Sequence, residues 1–242
     1  MKESVLPNQF SKDSKRIQVQ EMFDDIAPKY DAINRVLSLR IDVLWRKKVI
    51  NILKKKQVDS ILDIATGTAD LAIALSKLNP KEIIGIDISP KMLEVGKNKV
   101  AEKKLSSLIT LIEADSESLP FENNKFDAAT VAFGIRNFEN LEKGLSEIYR
   151  VLKPGASFII LEFSKVKKTP WKEIFNFYFR YITPSIGKIL SKNKNAYAYL
   201  PNSVAAFPDG EEMLEILKKI GFKNNLCQEL SFGIASIYQC QK

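Results

Sequence analysis

The chain has 242 residues, with 37 Lys and Arg against 29 Asp and Glu, a formal net charge of +8, two cysteines and no histidine. Without histidine there is no His general base, no Ser-His or Cys-His pair and no His metal ligand. Two cysteines make neither a Cys-rich zinc site nor a disulfide scaffold, so an enzyme built from this chain works through positioning, carboxylates, hydroxyls, Arg and Lys, or a cofactor with its own reactivity.

The charge is uneven. Residues 1–57 carry 13 basic and 7 acidic side chains, residues 58–163 carry 12 and 16, and residues 164–242 carry 12 and 6. The three segments therefore run +6, −4 and +6. A basic balance fits nucleic acid, an anionic membrane surface or plain solubility. The start, MKESVLPNQFSKDSKR, lacks the apolar core of a signal peptide, and no apolar run approaches the ~20 residues that span a bilayer. The expectation is a cytoplasmic protein with Cys227 and Cys240 reduced.

Residues 1–16 are polar. Ile17, Met22, Phe23 and Ile26 predict a helix that ends before Pro28. Residues 42–56 predict a second helix, with Asp42 as its N-cap. The rhythm then changes to short apolar runs. SILDIA (60–65), EIIGID (82–87), LITLIEA (108–114), FDAATVAF (126–133) and ASFIILEF (156–163) read as strands. Between them, helices are predicted from Asp70 to Leu78, from Pro90 and over 141–152, the last stopped by Lys153-Pro154-Gly155. Five apolar strands alternating with helices imply a parallel sheet covered on both faces. Residues 170–200 are aromatic-rich and predicted helical, broken at Pro184 and Pro201. A helix over 209–220, N-capped by Asp209, and two C-terminal strands joined by a tight turn complete the chain.

In such a sheet, ligands bind beyond the carboxyl ends of the strands, where the strand order reverses. Four strand ends carry polar residues. The first reads Asp63-Ile-Ala-Thr-Gly-Thr-Ala-Asp70, where Gly67 admits close approach and Thr66 and Thr68 offer hydroxyls. Asp87 ends the second strand and suits the two hydroxyls of a ribose. Asp115 and Ser116 follow the third and suit an adenine amino group. Gly134-Ile-Arg136-Asn137 follows the fourth. A dinucleotide would need G-x-G-x-x-G to admit its pyrophosphate, and ATGTAD has one glycine, so a cofactor without a pyrophosphate is favoured.

ILDIATGTADLAIAL, GIDISPKML, EADSESLPFENNKFD and EIYRVLKPG resemble the motifs of class I S-adenosylmethionine-dependent methyltransferases. MFDDIAPKYDAINRVLSLRIDVLWRKKV, FGIRNFENLEKGLSEIYRVLKPG and YITPSIGKILSKNKNAYAYLPNSVAAFPDG resemble the ubiquinone/menaquinone biosynthesis C-methyltransferase family more narrowly. The likeness covers about residues 20–238. It implies a Rossmann-like α/β fold, with a seven-stranded, mostly parallel sheet whose last strand is antiparallel and with helices on both faces. Residues 1–57 would form an N-terminal helical lid on a methyltransferase domain, 58–242, with 164–208 as an aromatic substrate-side insertion. Cofactor contacts carry over to Thr68, Asp87, Asp115 and Ser116, with Gly67 in the cofactor loop and Asp63 beside it. Ala69 departs from the general pattern, where a further glycine is common.

The reaction so implied moves a methyl group from S-adenosylmethionine to a ring carbon of a reduced prenylated quinone, without a metal. The quinol hydroxyl pushes electrons onto the adjacent carbon. Arg136, Tyr30 and Asp70 are the candidates for proton handling or phenolate stabilisation, Arg136 first; pairing of Arg136 with a carboxylate is the rival reading. Demethylmenaquinol is favoured over the benzoquinol of ubiquinone biosynthesis. The membrane-resident substrate suggests peripheral contact with an anionic membrane surface through the aromatics and Lys188, Lys192 and Lys194. A homodimer is left open. A nucleic-acid methyltransferase is disfavoured because Ala-Phe-Gly-Ile-Arg-Asn replaces the [DNS]-P-P-[YFW] motif after the fourth strand. A methyltransferase of another small molecule and a non-enzymatic binding module are the remaining alternatives.

Overall fold

The computed structural model describes residues 5–167, 169–171, 173 and 194–242. Three helices come first: α1 (Lys15–Ile26), α2 (Tyr30–Leu37) and α3 (Ile41–Leu53). The strands β1 (Ser60–Ile64), β2 (Glu82–Asp87), β3 (Ile109–Glu113), β4 (Phe126–Ala132) and β5 (Leu152–Phe163) then alternate with α4 (Asp70–Leu75), α5 (Pro90–Glu102) and α6 (Leu141–Val151). The chain closes with α7 (Lys194–Ala206), α8 (Glu211–Ile220), β6 (Lys223–Leu230) and β7 (Ala235–Gln241). The strands form a seven-stranded sheet in the order β3-β2-β1-β4-β5-β7-β6. β1 to β5 pair in parallel, and β7 runs antiparallel to both β5 and β6.

Alternation along each strand sorts the core into two layers. Leu62, Ile64, Ile86 and Val131 pack with α6 and α8 through Leu145, Ile148, Met213 and Leu217. Ile61, Ile83, Ala128 and Ile159 pack on the other face with α3, α4 and α5, through residues such as Trp45, Leu53, Leu75 and Leu93. All five residues of β1 are buried, as expected of a central parallel strand. The strand order reverses between β1 and β4, so the switch point lies at their carboxyl ends.

Several sequence expectations are corrected. Asp42 does not cap α3: Arg40 holds the N-cap position in the left-handed region at φ 64°, and Asp42 lies inside the first turn. Its buried carboxylate instead accepts bonds from Arg35 and Ser38 at 2.8 and 2.6 Å, and from Arg46. Asp209 likewise lies outside α8 and accepts the Lys165 amide at 3.2 Å, while Gly210 occupies the cap. Helix α7 runs through Pro201 instead of breaking there. The missing N–H removes one backbone bond, and burial of Tyr199, Val204 and Phe207 holds the helix together. Helix α6 ends at Val151 and no loop follows, so Lys153-Pro154-Gly155 lies inside β5 instead of closing the helix. β5 begins at Leu152, and the register with β4 jumps between Phe126 and Ala128 around Gly155 at φ +78°. Of the aromatic segment, Phe175, Phe177, Tyr178, Phe179, Tyr181, Pro184, Lys188 and Lys192 lie outside the described residues.

Candidate active site

The carboxyl ends of β1 to β4 and helix α1 border a cleft that opens to solvent. Gly67, Asp87, Asp115, Ser116 and Gly134 line it from the sheet side. Arg16, Val19, Phe23 and Tyr30 line it from the N-terminal segment. Helix α1 and Tyr30 therefore border the strand ends, while α3 packs on the sheet face.

The loop after β1 is under backbone strain. Ala65, Gly67 and Ala69 all have positive φ, at 50°, 55° and 63°. A side chain in that region costs roughly 1–2 kcal/mol per residue. Ala69 carries this cost where a glycine would not. Hydrogen bonds hold the loop. Asp63, buried at the end of β1, accepts Thr66 Oγ1 at 2.6 Å and Thr130 Oγ1 at 2.7 Å. Asp87 Oδ2 accepts the Gly67 amide at 2.8 Å, and its Oδ1 accepts the Ser89 amide at 2.9 Å. Burial pushes both carboxyls up to about 6, against the bonds that favour their charged forms. A Cβ on Gly67 would meet nothing within 4 Å, so this stretch of backbone is uncovered. Across the switch point a Cβ on Gly134 would come within 2.4 Å of Ala65 Cβ. The β1 and β4 loops approach this closely because position 134 has no side chain.

Gly67, Asp87, Asp115, Ser116 and Tyr30 thus converge on the cleft. Asp63 does not line it and instead anchors the loop from the sheet. Thr68 is 2% exposed and turns its hydroxyl away from the cleft onto Asp31, at 2.6 Å.

Asp70 and Arg136 lie outside the cleft lining and are held in ion pairs. The Asp70 carboxylate pairs with Arg35 at 2.7 Å and Lys99 at 2.6 Å. Burial would raise it, but Lys99, Arg46 and Arg35 together hold it below the usual carboxylate range, so it is a poor proton acceptor. The Arg136 guanidinium donates to Glu162 at 2.8 Å and to the Phe133 carbonyl, and lies 5.6 Å from the centre of the Phe163 ring. Glu162 is fully buried, and the Arg136 side chain is 8% exposed. The rival reading of Arg136, pairing with a carboxylate, is the one the geometry supports. Tyr30 faces the cleft, and burial pushes its hydroxyl up despite the pull of Arg136 and Arg46. At neutral pH it is a hydrogen-bond donor and not a base.

Two further groups stand out, Asn137, already placed by the sequence in the motif after the fourth strand, and Tyr199, which sequence reading missed. Asn137 lines the cleft, and its Oδ1 is buried with no hydrogen-bond partner among the described residues. The Tyr199 hydroxyl is likewise buried and unpartnered among them, within the field of Arg136 and Glu162. Periodicity gives no such signal, because Tyr199 reads like any other aromatic of its segment.

The model of the ubiE/COQ5 methyltransferase family matches residues 9–242. The chain belongs to this family. It is 48% identical over 235 residues to the protein of Bacteroides fragilis named demethylmenaquinone methyltransferase, covering 96% of each. It is 44% identical over 227 residues to the ubiquinone/menaquinone biosynthesis C-methyltransferase UbiE of Geotalea daltonii, covering 93% of this chain and 96% of the relative. A solved S-adenosylmethionine-dependent methyltransferase of Methanococcus maripaludis, itself described as putative, shares the fold: TM-score 0.67, 21% identity, 91% of this chain and 94% of that one.

The methyltransferase uses S-adenosylmethionine as its co-substrate, and the residues present fit that molecule. The uncovered backbone at Gly67 admits close approach. The two oxygens of Asp87 retain acceptor capacity beyond the backbone amides they already bind. Among the described residues no helix is long and apolar enough to cross a membrane.

Proposed function

We propose that this methyltransferase methylates a ring carbon of a reduced prenylated quinone, with demethylmenaquinol as the acceptor. The observation that carries this reading is the high identity, over nearly the whole chain, to a relative named for demethylmenaquinone. The cleft's apolar lining, including Val19, Phe23, Met92, Phe133 and Phe138, suits an aromatic ring with an apolar tail. The benzoquinol of ubiquinone biosynthesis is the second reading, because relatives named for both quinones match this chain.

When bound, S-adenosylmethionine supplies an electrophilic methyl group. The protein's part is alignment and exclusion of water, worth up to about 7–11 kcal/mol when the reacting geometry is well held. In this reading Asp87 binds the ribose hydroxyls, and Asp115 and Ser116 meet the adenine edge. Gly67 and the Thr68 backbone pass close to the rest of the cofactor, and Asp63 holds their loop. Tyr30 donates its O–H to a ring oxygen, and Asn137 accepts one from a ring hydroxyl. Arg136 acts through Glu162 and the Phe133 carbonyl, keeping the β4 loop in place.

The test is a methyl-transfer assay with detergent-solubilised acceptors and product mass. Transfer to reduced demethylmenaquinol, slower transfer to the benzoquinol and none to the oxidised quinone are expected. Transfer to another acceptor with none to the naphthoquinol would sink the reading.

We also place the protein against an anionic membrane surface. Support comes from the two +6 segments and from exposed Leu39, Leu44 and Phe232, the last stacked on Trp171 at 4.1 Å. Each basic residue near such a surface contributes roughly 1 kcal/mol. Co-sedimentation with phosphatidylserine vesicles should fall as salt rises; binding indifferent to salt would count against it.

A further inference from the structure

The N-terminal helices send a charged side chain to each of the four loops that form the cleft. Asp31 on α2 accepts the Thr68 hydroxyl of the β1 loop at 2.6 Å. Asp24 on α1 accepts Ser89 Oγ at 2.6 Å and the Lys91 amide at 3.2 Å, after β2. Arg16 lies 3.8 Å from Asp115, after β3. Lys15 Nζ donates to the Arg136 and Phe138 carbonyls at 3.1 and 2.8 Å, after β4. Asp24, Asp31 and Lys15 do not line the cleft themselves.

Asp31 acts where the loop is hardest to hold. Three residues of five, 65, 67 and 69, are in the left-handed region. Asp63 ties Thr66 from the sheet, and Asp87 ties Gly67 from β2. The Thr68 hydroxyl is bound from the other side, by Asp31 and by Lys99 Nζ at 3.2 Å. Lys99 also bridges Asp31 at 2.5 Å and Asp70 at 2.6 Å, which fixes the Asp31 carboxylate against the loop.

We propose that Asp31 is a positioning residue. By holding Thr68, it keeps the Gly67–Ala69 backbone in its strained conformation and so sets the affinity for S-adenosylmethionine without touching it. The inference rests on the cleft being the S-adenosylmethionine site.

The experiment is a double-mutant cycle on the full chain, reading KM for S-adenosylmethionine, kcat at saturation and direct binding by equilibrium dialysis. Asp31→Ala and Thr68→Val should each raise KM about tenfold, with kcat changed less than about twofold. Asp31→Ala also frees Lys99, so the shared Asp31–Thr68 bond shows as non-additivity: the double variant should lose little more than Asp31→Ala alone, well short of a hundredfold. Asp31→Asn keeps an oxygen for the Thr68 hydroxyl, so its KM should stay near that of the wild type, and it serves if Asp31→Ala does not fold. An unchanged KM in Asp31→Ala, a loss of about a hundredfold in the double variant, or an Asp31→Asn as impaired as Asp31→Ala would each overturn the proposal. Wild-type protein that fails to bind S-adenosylmethionine would sink the cofactor reading itself. Wild-type binding with an unaffected Asp31→Ala sinks this inference alone.

Discussion

The ends of β1 and β2 and the ends of β4 and β5 each place a carboxylate at the switch-point side of the sheet, half-buried Asp87 in one and buried Glu162 in the other, and the two regions use it differently. At β2, Asp87 is bound by backbone amides, keeps acceptor capacity and lines the cleft. At β5, Glu162 is bound by a guanidinium at 2.8 Å and lies away from the cleft. The first arrangement leaves a charged group available to a ligand. The second satisfies the charge inside the protein and fixes a loop. A charged residue at a strand end is therefore not by itself a functional group; its partner decides.

The largest expected effect follows from breaking the buried pair. Arg136→Ala leaves Glu162 charged and unpaired, which should cost about 3–5 kcal/mol and lower Tm on the order of 10 °C. Calorimetry checks this. Arg136→Met with Glu162→Leu should recover much of the loss. A melt unchanged in Arg136→Ala, with activity gone, would restore Arg136 as a group that meets the substrate.

A smaller effect in stability, and a specific one in binding, is expected from Asp87→Ala. Losing charge-assisted bonds to two ribose hydroxyls should raise KM for S-adenosylmethionine about a hundredfold. Steady-state kinetics and calorimetry together separate it from Arg136→Ala. If Asp87→Ala lowered Tm as much as Arg136→Ala and left KM alone, the two regions would not differ as described.

The smallest effect is in pH. With its carboxyl pushed up to about 6, Asp87 is mostly ionised at pH 7 and mostly protonated at pH 5. The ionised form is the one that accepts two hydroxyls. Affinity should therefore fall as pH drops through about 6, approaching tenfold per unit well below it. Asp87→Asn should flatten the profile. Any slope that remains in this variant reports Asp63, which is also pushed up to about 6.

The parallel strands were legible because central strands buried on both faces are continuous apolar runs. Pro90 marked the start of α5, and the structure adds Ser89 as its cap, with the side chain accepting the Met92 amide. Other boundaries failed for a shared reason. Asp42 and Asp209 have the right residue type for a cap, and each found arginine or lysine partners instead. Pro201 has the right type for a break, and burial around it outweighed one lost bond. In the cleft, Gly67, Asp87, Asp115 and Ser116 could be read from their places after strands. Thr68 could be placed in the loop, but not the direction of its hydroxyl. Asn137 and Tyr199 became notable through what surrounds them.

By itself the sequence determined the strand and helix rhythm, the position of the switch point and the absence of histidine chemistry. Those depend on local patterning and composition. The uneven charge had no local reading: only the tertiary structure joined Asp31, Asp70, Lys99 and Arg35 into one network against the cofactor loop. It also decided which of Asp87, Asp70 and Arg136 remain available to a ligand. The reason is physical. Whether a charge is spent or free depends on its nearest opposite charge and on burial, and both are set by residues far away in the chain.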